Sequence, residues 1–183
     1  MKTLGKILRN IVIFILVLIL ITVGVVFFMV YKGSAFYTVT YGKEIAEYAE
    51  KYGLDPYLVA GIVKTESDFV EDAVADDGGR GLMQLMPDTA KWCAAQLNVD
   101  YNASKMLEKE YNLNLGCYYL SYLIQKYQNE ALAVAAYNTG YGNVDKWLEE
   151  GTITWERDSM KNIPFPITRE YVKKVLHRRD VFS

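Results

Sequence analysis

The strongest constraint on this sequence is one uninterrupted apolar run near its amino terminus. Residues 11–30 carry no charge, and only Thr22 and Gly24 interrupt a succession of aliphatic and aromatic side chains. A helix of this length rises roughly 30 Å, at about 1.5 Å per residue, which matches the hydrocarbon core of a bilayer. We therefore predict a transmembrane helix over residues 11–31.

The charges that flank this run predict its orientation. The charged residues that precede it are all basic, whereas charged residues of both signs follow from Glu44 onward. Because basic residues stay on the cytoplasmic side, residues 1–10 are predicted to be cytoplasmic, residues 32–42 a tether and residues 43–183 an extracytoplasmic domain of a single-pass membrane protein. A signal peptide cleaved near Gly33 is the alternative, although the run exceeds the about 7–15 apolar residues usual in such peptides.

Composition excludes several classes of ligand. The formal net charge is −2, from 20 basic and 22 acidic residues, so the chain lacks the basic field on which nucleic-acid binding depends. One His and two Cys are too few for a zinc site of the usual kind. We therefore predict no metal, no cofactor and no nucleic-acid partner.

The domain after residue 43 is predicted to be all-α. Its apolar residues recur at helical spacing, and no pair of alternating runs is joined by a hairpin turn. Asp55 before Pro56 is typical of a helix start, and Gly140 after a run of small residues is typical of a helix end. Helices are predicted over residues 43–51, from 56, from 87, and over 104–127, 130–137, 143–149 and 168–179.

Glu66 is the most informative residue of these helices. It lies four residues after Ile62 and three after Val63, so it continues the apolar stripe of the helix that starts at Pro56. A carboxyl in that position is desolvated, which raises its pKa and keeps it protonated as a general acid. The alternative is that the helix has already ended and Glu66 is solvated.

Two further segments carry candidate ligand-binding residues. The glycines of residues 76–81 are not a phosphate loop, because no Gly-Lys-Ser/Thr follows them. They allow a tight backbone path that lays Gln84 and Met86 beside the end of the Glu66 helix. Tyr137 and Asn138 end a later helix with an amphipathic ring and an amide, both suited to sugar hydroxyls.

Taken together, these motifs resemble the lytic transglycosylase domain of the SLT type, which shares the goose-type lysozyme fold. Five segments stand in the family's order: Glu66-Ser67, then residues 81–87, 114–120, 136–140 and 163–172. The resemblance implies that the partner is the glycan strand of peptidoglycan, cleaved at the β-1,4 bond between N-acetylmuramic acid and N-acetylglucosamine. It maps the catalytic acid onto Glu66 and substrate contacts onto Ser67, Gln84, Met86, Tyr137, Asn138 and Tyr171.

The resemblance also implies a reaction that needs one carboxylate. Glu66 would protonate the leaving oxygen and then accept the proton of the muramyl 6-hydroxyl, whose intramolecular attack leaves a 1,6-anhydromuramyl end. Two alternatives stay open. One is a hydrolytic muramidase of the same fold, in which Asp76 or Asp77 positions water; the other is a non-catalytic peptidoglycan-binding module of an envelope complex.

The sequence departs from the family pattern at two notable places. Ala75 stands where the family usually has Ser, and Ile167 stands where it usually has Glu. If that Glu faces the cleft, its loss removes one like charge from the surroundings of Glu66.

The two cysteines, Cys93 and Cys117, both fall on apolar helix faces. Buried free thiols are one expectation for such positions. An extracytoplasmic location equally allows a disulfide between the two helices, so the sequence leaves the pairing open.

Overall fold

The computed structural model describes residues 2–36 and 39–183 and divides the chain into two units, Met1–Val39 and Thr40–Ser183. The described residues of the first unit contain one helix, α1 (Lys2–Phe36). Its segment Asn10–Phe27, with a mean hydropathy of 3.1, is by length and composition sufficient to cross a membrane. Residues 32–36 of the predicted tether continue this helix, and residues 37 and 38 lie outside the described residues.

The second unit is helical, as predicted. Its described residues contain no strand beyond two isolated antiparallel bridges, which pair Arg80 with Val74 and with Leu85. Its α-helices are α2 (Gly42–Tyr52), α3 (Pro56–Glu66), α4 (Pro87–Gln96), α5 (Lys109–Tyr127), α6 (Glu130–Thr139), α7 (Tyr141–Glu149) and α8 (Pro166–Phe182).

The helices differ from the predicted ones in three places. The helix predicted over 104–127 is split into a 3₁₀ turn (Ser104–Leu107) and α5, because Glu108 is extended, with φ −88° and ψ 126°. Helix α8 begins earlier than predicted, at Pro166, whose fixed φ and missing N–H suit a first turn. A 3₁₀ helix over Arg157–Asn162 was not predicted, since so short a segment shows no apolar period.

Helix α3 is buried in the second unit and packs closely against α8. All its residues from Leu58 to Val63 are buried. Gly61 allows the close approach: a Cβ there would lie 2.9 Å from the carbonyl oxygen of Val175 and 3.2 Å from the amide nitrogen of Arg179. The main chains of the two helices are therefore in near contact, which sets the end of α3 firmly relative to α8.

Replacing Gly61 by Ala is expected to destabilise the fold by about 1–3 kcal/mol, because the added methyl meets main-chain atoms of α8 that cannot move aside. Thermal unfolding of the full chain in detergent micelles measures the change. Gly142→Ala in α7 is the matched control: no atom lies within 4 Å of the added Cβ, so its helix propensity should leave stability equal or higher. Equal losses in the two variants would contradict the close packing of α3 on α8.

Candidate active site

Glu66 is the last residue of α3, and the chain turns away immediately after it. Asp68 and Phe69 take left-handed conformations, with φ 55° and 63°, so the helix cannot continue. Between them and Glu66, the Ser67 amide donates to the carbonyl of Val63 and closes the last turn. Glu66 therefore stands where a rigid helix meets a sharply turning loop.

Two surface depressions meet at Glu66. Both are lined by Glu66, Ala75 and Gln84. The first, of about 430 Å³, is called here the tyrosine depression, and its other lining residues include Asp77, Met86, Thr89, Tyr119, Tyr137 and Asn138. The second, of about 640 Å³, is called the arginine depression, and its other lining residues include Lys64, Thr65, Ser67, Asp68, Val74 and Arg178. The two depressions together are called the cleft, and Glu66 borders both of them.

The surroundings of Glu66 favour its neutral form. Burial is the largest effect and raises the pKa of Glu66 to about 7, with a smaller contribution in the same direction from the negative charge of Asp77. The Tyr171 hydroxyl opposes this, because its hydrogen bond favours the carboxylate. Both protonation states of such a carboxyl are populated near neutral pH. It is suited both to giving and to accepting a proton.

Tyr171 contacts the acid and lies outside the cleft. It is buried on α8, and its hydroxyl donates to Oε1 of Glu66 at 2.5 Å. It lines neither of the two depressions that contain Glu66. The resemblance implied that Tyr171 contacts the substrate, whereas in the structure its hydroxyl forms a hydrogen bond with Glu66. Its hydroxyl is thus placed to orient the Glu66 carboxyl.

The glycine-rich segment follows the tight path that its sequence predicted. Gln84 has φ 45°, and its side-chain amide donates to the carbonyls of Ala73 at 3.1 Å and Gly81 at 2.8 Å. A Cβ on Gly79 would lie 2.9 Å from Oε1 of Gln84, so only glycine fits there without displacement. Gln84 thus closes the loop on itself and presents one edge to the cleft. Met86 is 44% exposed and lines the tyrosine depression.

Asn112 holds this loop in place and was not among the residues predicted from the sequence. Fully buried on α5, it accepts from the Met83 amide at 2.8 Å and donates to the carbonyls of Arg80 at 2.8 Å and Met106 at 2.9 Å. Gly81 accommodates it, since a Cβ there would lie 2.4 Å from Nδ2 of Asn112. The sequence does carry one signal for Asn112. This polar residue lies four positions before the small Gly116, and therefore on the same buried face of the helix.

The opposite wall carries an aromatic ring and an amide. The Tyr137 hydroxyl donates to the carbonyl of Met83 at 2.9 Å, and its ring packs on Tyr119 with centroids 5.5 Å apart. The exposed Asn138 accepts a hydrogen bond from Thr168 at 2.8 Å through its Oδ1. Its NH₂ group has no partner among the described residues, so two donors remain for a ligand in the tyrosine depression.

The remaining candidates take other positions. Ser67 lines the arginine depression, but its hydroxyl bonds to the carbonyls of Leu82 at 2.9 Å and Val63 at 3.2 Å and so joins α3 to the loop. Asp77 reaches the tyrosine depression, whereas Asp76 does not line it. Ile167 is 81% exposed and lines neither depression, so a glutamate at this position would not face the cleft.

Cys93 and Cys117 are both free and buried, so the disulfide that the sequence left open is not formed in the structure. Burial raises the pKa of Cys93 to about 12 and also raises that of Cys117. Thiols of this kind are packing groups rather than nucleophiles. Within residues 2–36 and 39–183, no group of three His, Cys, Asp or Glu side chains is placed to hold a metal ion.

Known proteins with similar sequences are lytic transglycosylases. The chain is 37% identical over 143 residues to the soluble lytic murein transglycosylase of Salmonella typhimurium, which covers 75% of this chain and 20% of that protein. It is 35% identical over 105 residues to membrane-bound lytic murein transglycosylase F 1 of Alkalilimnicola ehrlichii, covering 54% of this chain and 20% of that protein. The chain thus spans about a fifth of the length of these relatives.

A solved structure shares the fold. It is an inactive mutant of the lytic transglycosylase Slt from Pseudomonas aeruginosa in which a glutamate is replaced by glutamine. The superposition has a TM-score of 0.72 at 34% identity and covers 76% of this chain and 23% of that one. The model of the transglycosylase SLT domain matches residues 43–156. The chain therefore belongs to the transglycosylase SLT family.

Proposed function

We propose that this protein is a membrane-anchored peptidoglycan lytic transglycosylase in which Glu66 is the general acid and base. One observation carries the proposal: a single partly buried carboxyl, with its pKa raised to about 7, stands where the two depressions of the cleft meet. The names of the relatives support the reaction class, and the inactive glutamate-to-glutamine mutant supports a glutamate-dependent chemistry in the relative.

In the proposed reaction, a glycan strand lies along the cleft with the scissile bond at Glu66. The protonated Glu66 gives its proton to the glycosidic oxygen, and the bond from that oxygen to C1 of N-acetylmuramic acid breaks. Positive charge develops at C1, and the 6-hydroxyl of the same sugar attacks it while the Glu66 carboxylate removes the hydroxyl proton. Glu66 returns to its protonated state, no water is consumed, and a 1,6-anhydro ring remains.

Each wall of the cleft has a part in this reaction. Tyr171 holds one oxygen of Glu66, which leaves the other for the scissile bond. The amide of Asn138 and the edge of Gln84 face the cleft as hydrogen-bonding groups for sugar hydroxyls and acetamido groups. Positioning of the 6-hydroxyl replaces a bimolecular step with water, so a second carboxylate is not required.

Hydrolysis is the second candidate, and one observation favours keeping it. Asp77 lies on the wall of the tyrosine depression, close enough to Glu66 to raise the pKa of that carboxyl. A second carboxylate there can orient a water molecule, as in inverting glycosidases. The exposure of Asp77 and the hydrogen bond that its side chain accepts from the Gly79 amide weigh against a basic role.

Mass spectrometry of the products separates these reactions. Purified peptidoglycan digested by the full chain in detergent should yield muropeptides with 1,6-anhydro ends, which weigh one water less than the reducing ends left by a muramidase. Clearing of a cell-wall suspension separates either enzyme from a module that only binds. Products with reducing ends alone would replace the proposed reaction with hydrolysis.

Tyr171→Phe should shift the pH profile of the reaction upward. Its hydroxyl stabilises the charged form of Glu66, so its removal raises the pKa of Glu66 further above the usual range of glutamate. The basic limb, where the acid loses its proton, should then move from near pH 7 to a higher pH. Rates of muropeptide release across pH 5–9 measure the shift, and a limb that stays in place or moves down would remove Tyr171 from the surroundings of the acid.

The proposed topology puts the cleft outside the cell. Helix α1 would span the membrane once through residues 11–31. Residues 1–10 would lie in the cytoplasm, because the charged residues that precede the apolar segment are all basic. Protease added to wall-stripped cells should digest the second unit and leave a fragment of α1. Protection of the second unit in intact protoplasts would reverse the orientation.

A further inference from the structure

The arginine depression carries positive charge beside the acid. Besides Glu66, its wall holds two cations, Lys64 and Arg178, and one further acidic side chain, Asp68. Lys64 forms an ion pair with Asp68. Arg178 forms no ion pair in the part of the chain that the structure describes, and its hydrogen bond is to a neutral threonine. The hydrogen bond and charge of Lys64 and, to a smaller extent, the charge of Arg178 lower the pKa of the Asp68 carboxyl. Asp68 nevertheless forms its ion pair with Lys64, so the guanidinium keeps donors available for a ligand.

Arg178 is held in position although it forms no ion pair with any of the described residues. Its Nη1 donates to Oγ1 of Thr65 at 2.9 Å, and the Thr65 hydroxyl in turn donates to the carbonyl of Gly61 at 2.7 Å. Thr65 directly precedes Glu66, so this chain of bonds fixes the guanidinium to the same turn of α3 that carries the acid. Of the five donors of a guanidinium, most remain free, in a planar fork that matches a carboxylate.

The other half of the cleft has the opposite character. The tyrosine depression contains the acid Asp77 together with rings and amides, and no Lys or Arg lines it. Charge thus changes sign along the cleft at Glu66. The sugars of a peptidoglycan strand carry no charge, so a guanidinium can donate hydrogen bonds to them but cannot form an ion pair with them. In such a strand, free carboxylates belong to the peptide stems on N-acetylmuramic acid.

We propose that Arg178 binds a free carboxylate of the stem peptide of the strand being cleaved. The inference rests on the proposed function, because it assigns a specificity to the same cleft. Bidentate binding by Arg178 would select strands whose stems keep that carboxylate over strands in which it is amidated or the stem is removed. It would also fix which way the strand lies across Glu66.

The test uses the full chain in detergent and two strands that differ in one group. Glycan strands whose stems carry the free α-carboxylate of glutamate are compared with strands amidated at that carboxylate. The wild-type chain should cleave the carboxylate strand with a kcat/KM about tenfold higher, the scale of one charge-assisted hydrogen bond. Arg178→Gln should reduce this ratio to about one through KM, with little change in kcat.

Two further variants sharpen the result. Lys173→Gln is the matched control, since Lys173 lies on the same helix, pairs with Glu170 on the surface and lines neither depression of the cleft. It should keep the full ratio. Arg178→Lys retains the charge without the fork and should give an intermediate ratio.

The outcomes separate the two proposals. A wild-type chain that cleaves both strands equally, or an Arg178→Gln variant that loses activity on both by the same factor, would overturn the carboxylate site and leave the transglycosylase standing. A wild-type chain that cleaves neither would instead refute the proposed function. If Arg178→Gln does not fold, calorimetry of the wild-type chain with muramyl-alanyl-glutamate and its amide decides, and equal affinities overturn the site.

Discussion

Replacing Glu66 by Gln is expected to lower muropeptide release by at least about 10²-fold, the scale of lost general acid catalysis. Glutamine keeps the shape of the side chain and can still accept the hydrogen bond of Tyr171, but it has no proton to give to the glycosidic oxygen. Release of soluble muropeptides from purified peptidoglycan, measured near pH 6, gives the rate. Because the raised pKa reflects a cost of ionising the buried carboxyl, the neutral variant should be at least as stable as the parent.

The control for this variant is Glu47→Gln. Glu47 is an exposed glutamate on α2 and takes no part in the cleft. The substitution removes the same charge from the same protein and should leave the rate within about twofold, as distant surface charges are well screened. Near-normal activity of Glu66→Gln would take the acid role away from Glu66, and a loss shared by both variants would point to an effect of net charge.

Replacing Asn112 by Leu should destabilise the second unit by about 3–5 kcal/mol, the largest effect on stability expected here. Leucine has a similar volume, so little cavity is created. The Met83 amide and the carbonyls of Arg80 and Met106 would nevertheless lose their partner in a buried place. Urea unfolding followed by tryptophan fluorescence measures the loss, and activity should fall as well, because the loop that carries Gln84 is released.

Asn114→Leu is a matched control on the same helix. Asn114 accepts hydrogen bonds from Lys51 and Tyr52, each at 2.7 Å, but it is only partly buried, so water can replace it as a partner. Its loss should cost about 1 kcal/mol. If Asn112→Leu is no more harmful than this control, the loop is held by other contacts.

The placement of Glu66 follows from local spacing, which is why the sequence could predict it. Ile62, Val63 and Glu66 lie on one helix, and the periodicity of a helix determines which residues share a face. The partnership of Glu66 with Tyr171 has no such local origin. It depends on how closely α8 approaches α3, and that distance is set by the missing side chain of Gly61. A contact between residues 105 positions apart is a property of the packed fold.

The roles of the other polar side chains were harder to predict because hydroxyls and amides bond in more than one direction. Ser67 was expected to meet substrate, yet its hydroxyl bonds to main-chain carbonyls. Asn112 was passed over, although a lone amide on a buried helix face always needs partners. In both cases the residue type predicts that the side chain forms hydrogen bonds. The partners are main-chain groups whose positions depend on the folded structure.

The distance in sequence between Glu66 and Tyr171 has a consequence for biosynthesis. The ribosome adds Tyr171 105 residues after Glu66, which takes roughly 5–20 s at about 5–20 residues per second. Until α8 has been made and has covered α3, Glu66 lies in an open helix end and titrates as an ordinary glutamate, with a pKa of about 4.3. Under the proposed function, a nascent chain therefore carries Glu66 in its ionised form, which has no proton to donate, until α8 has folded over α3.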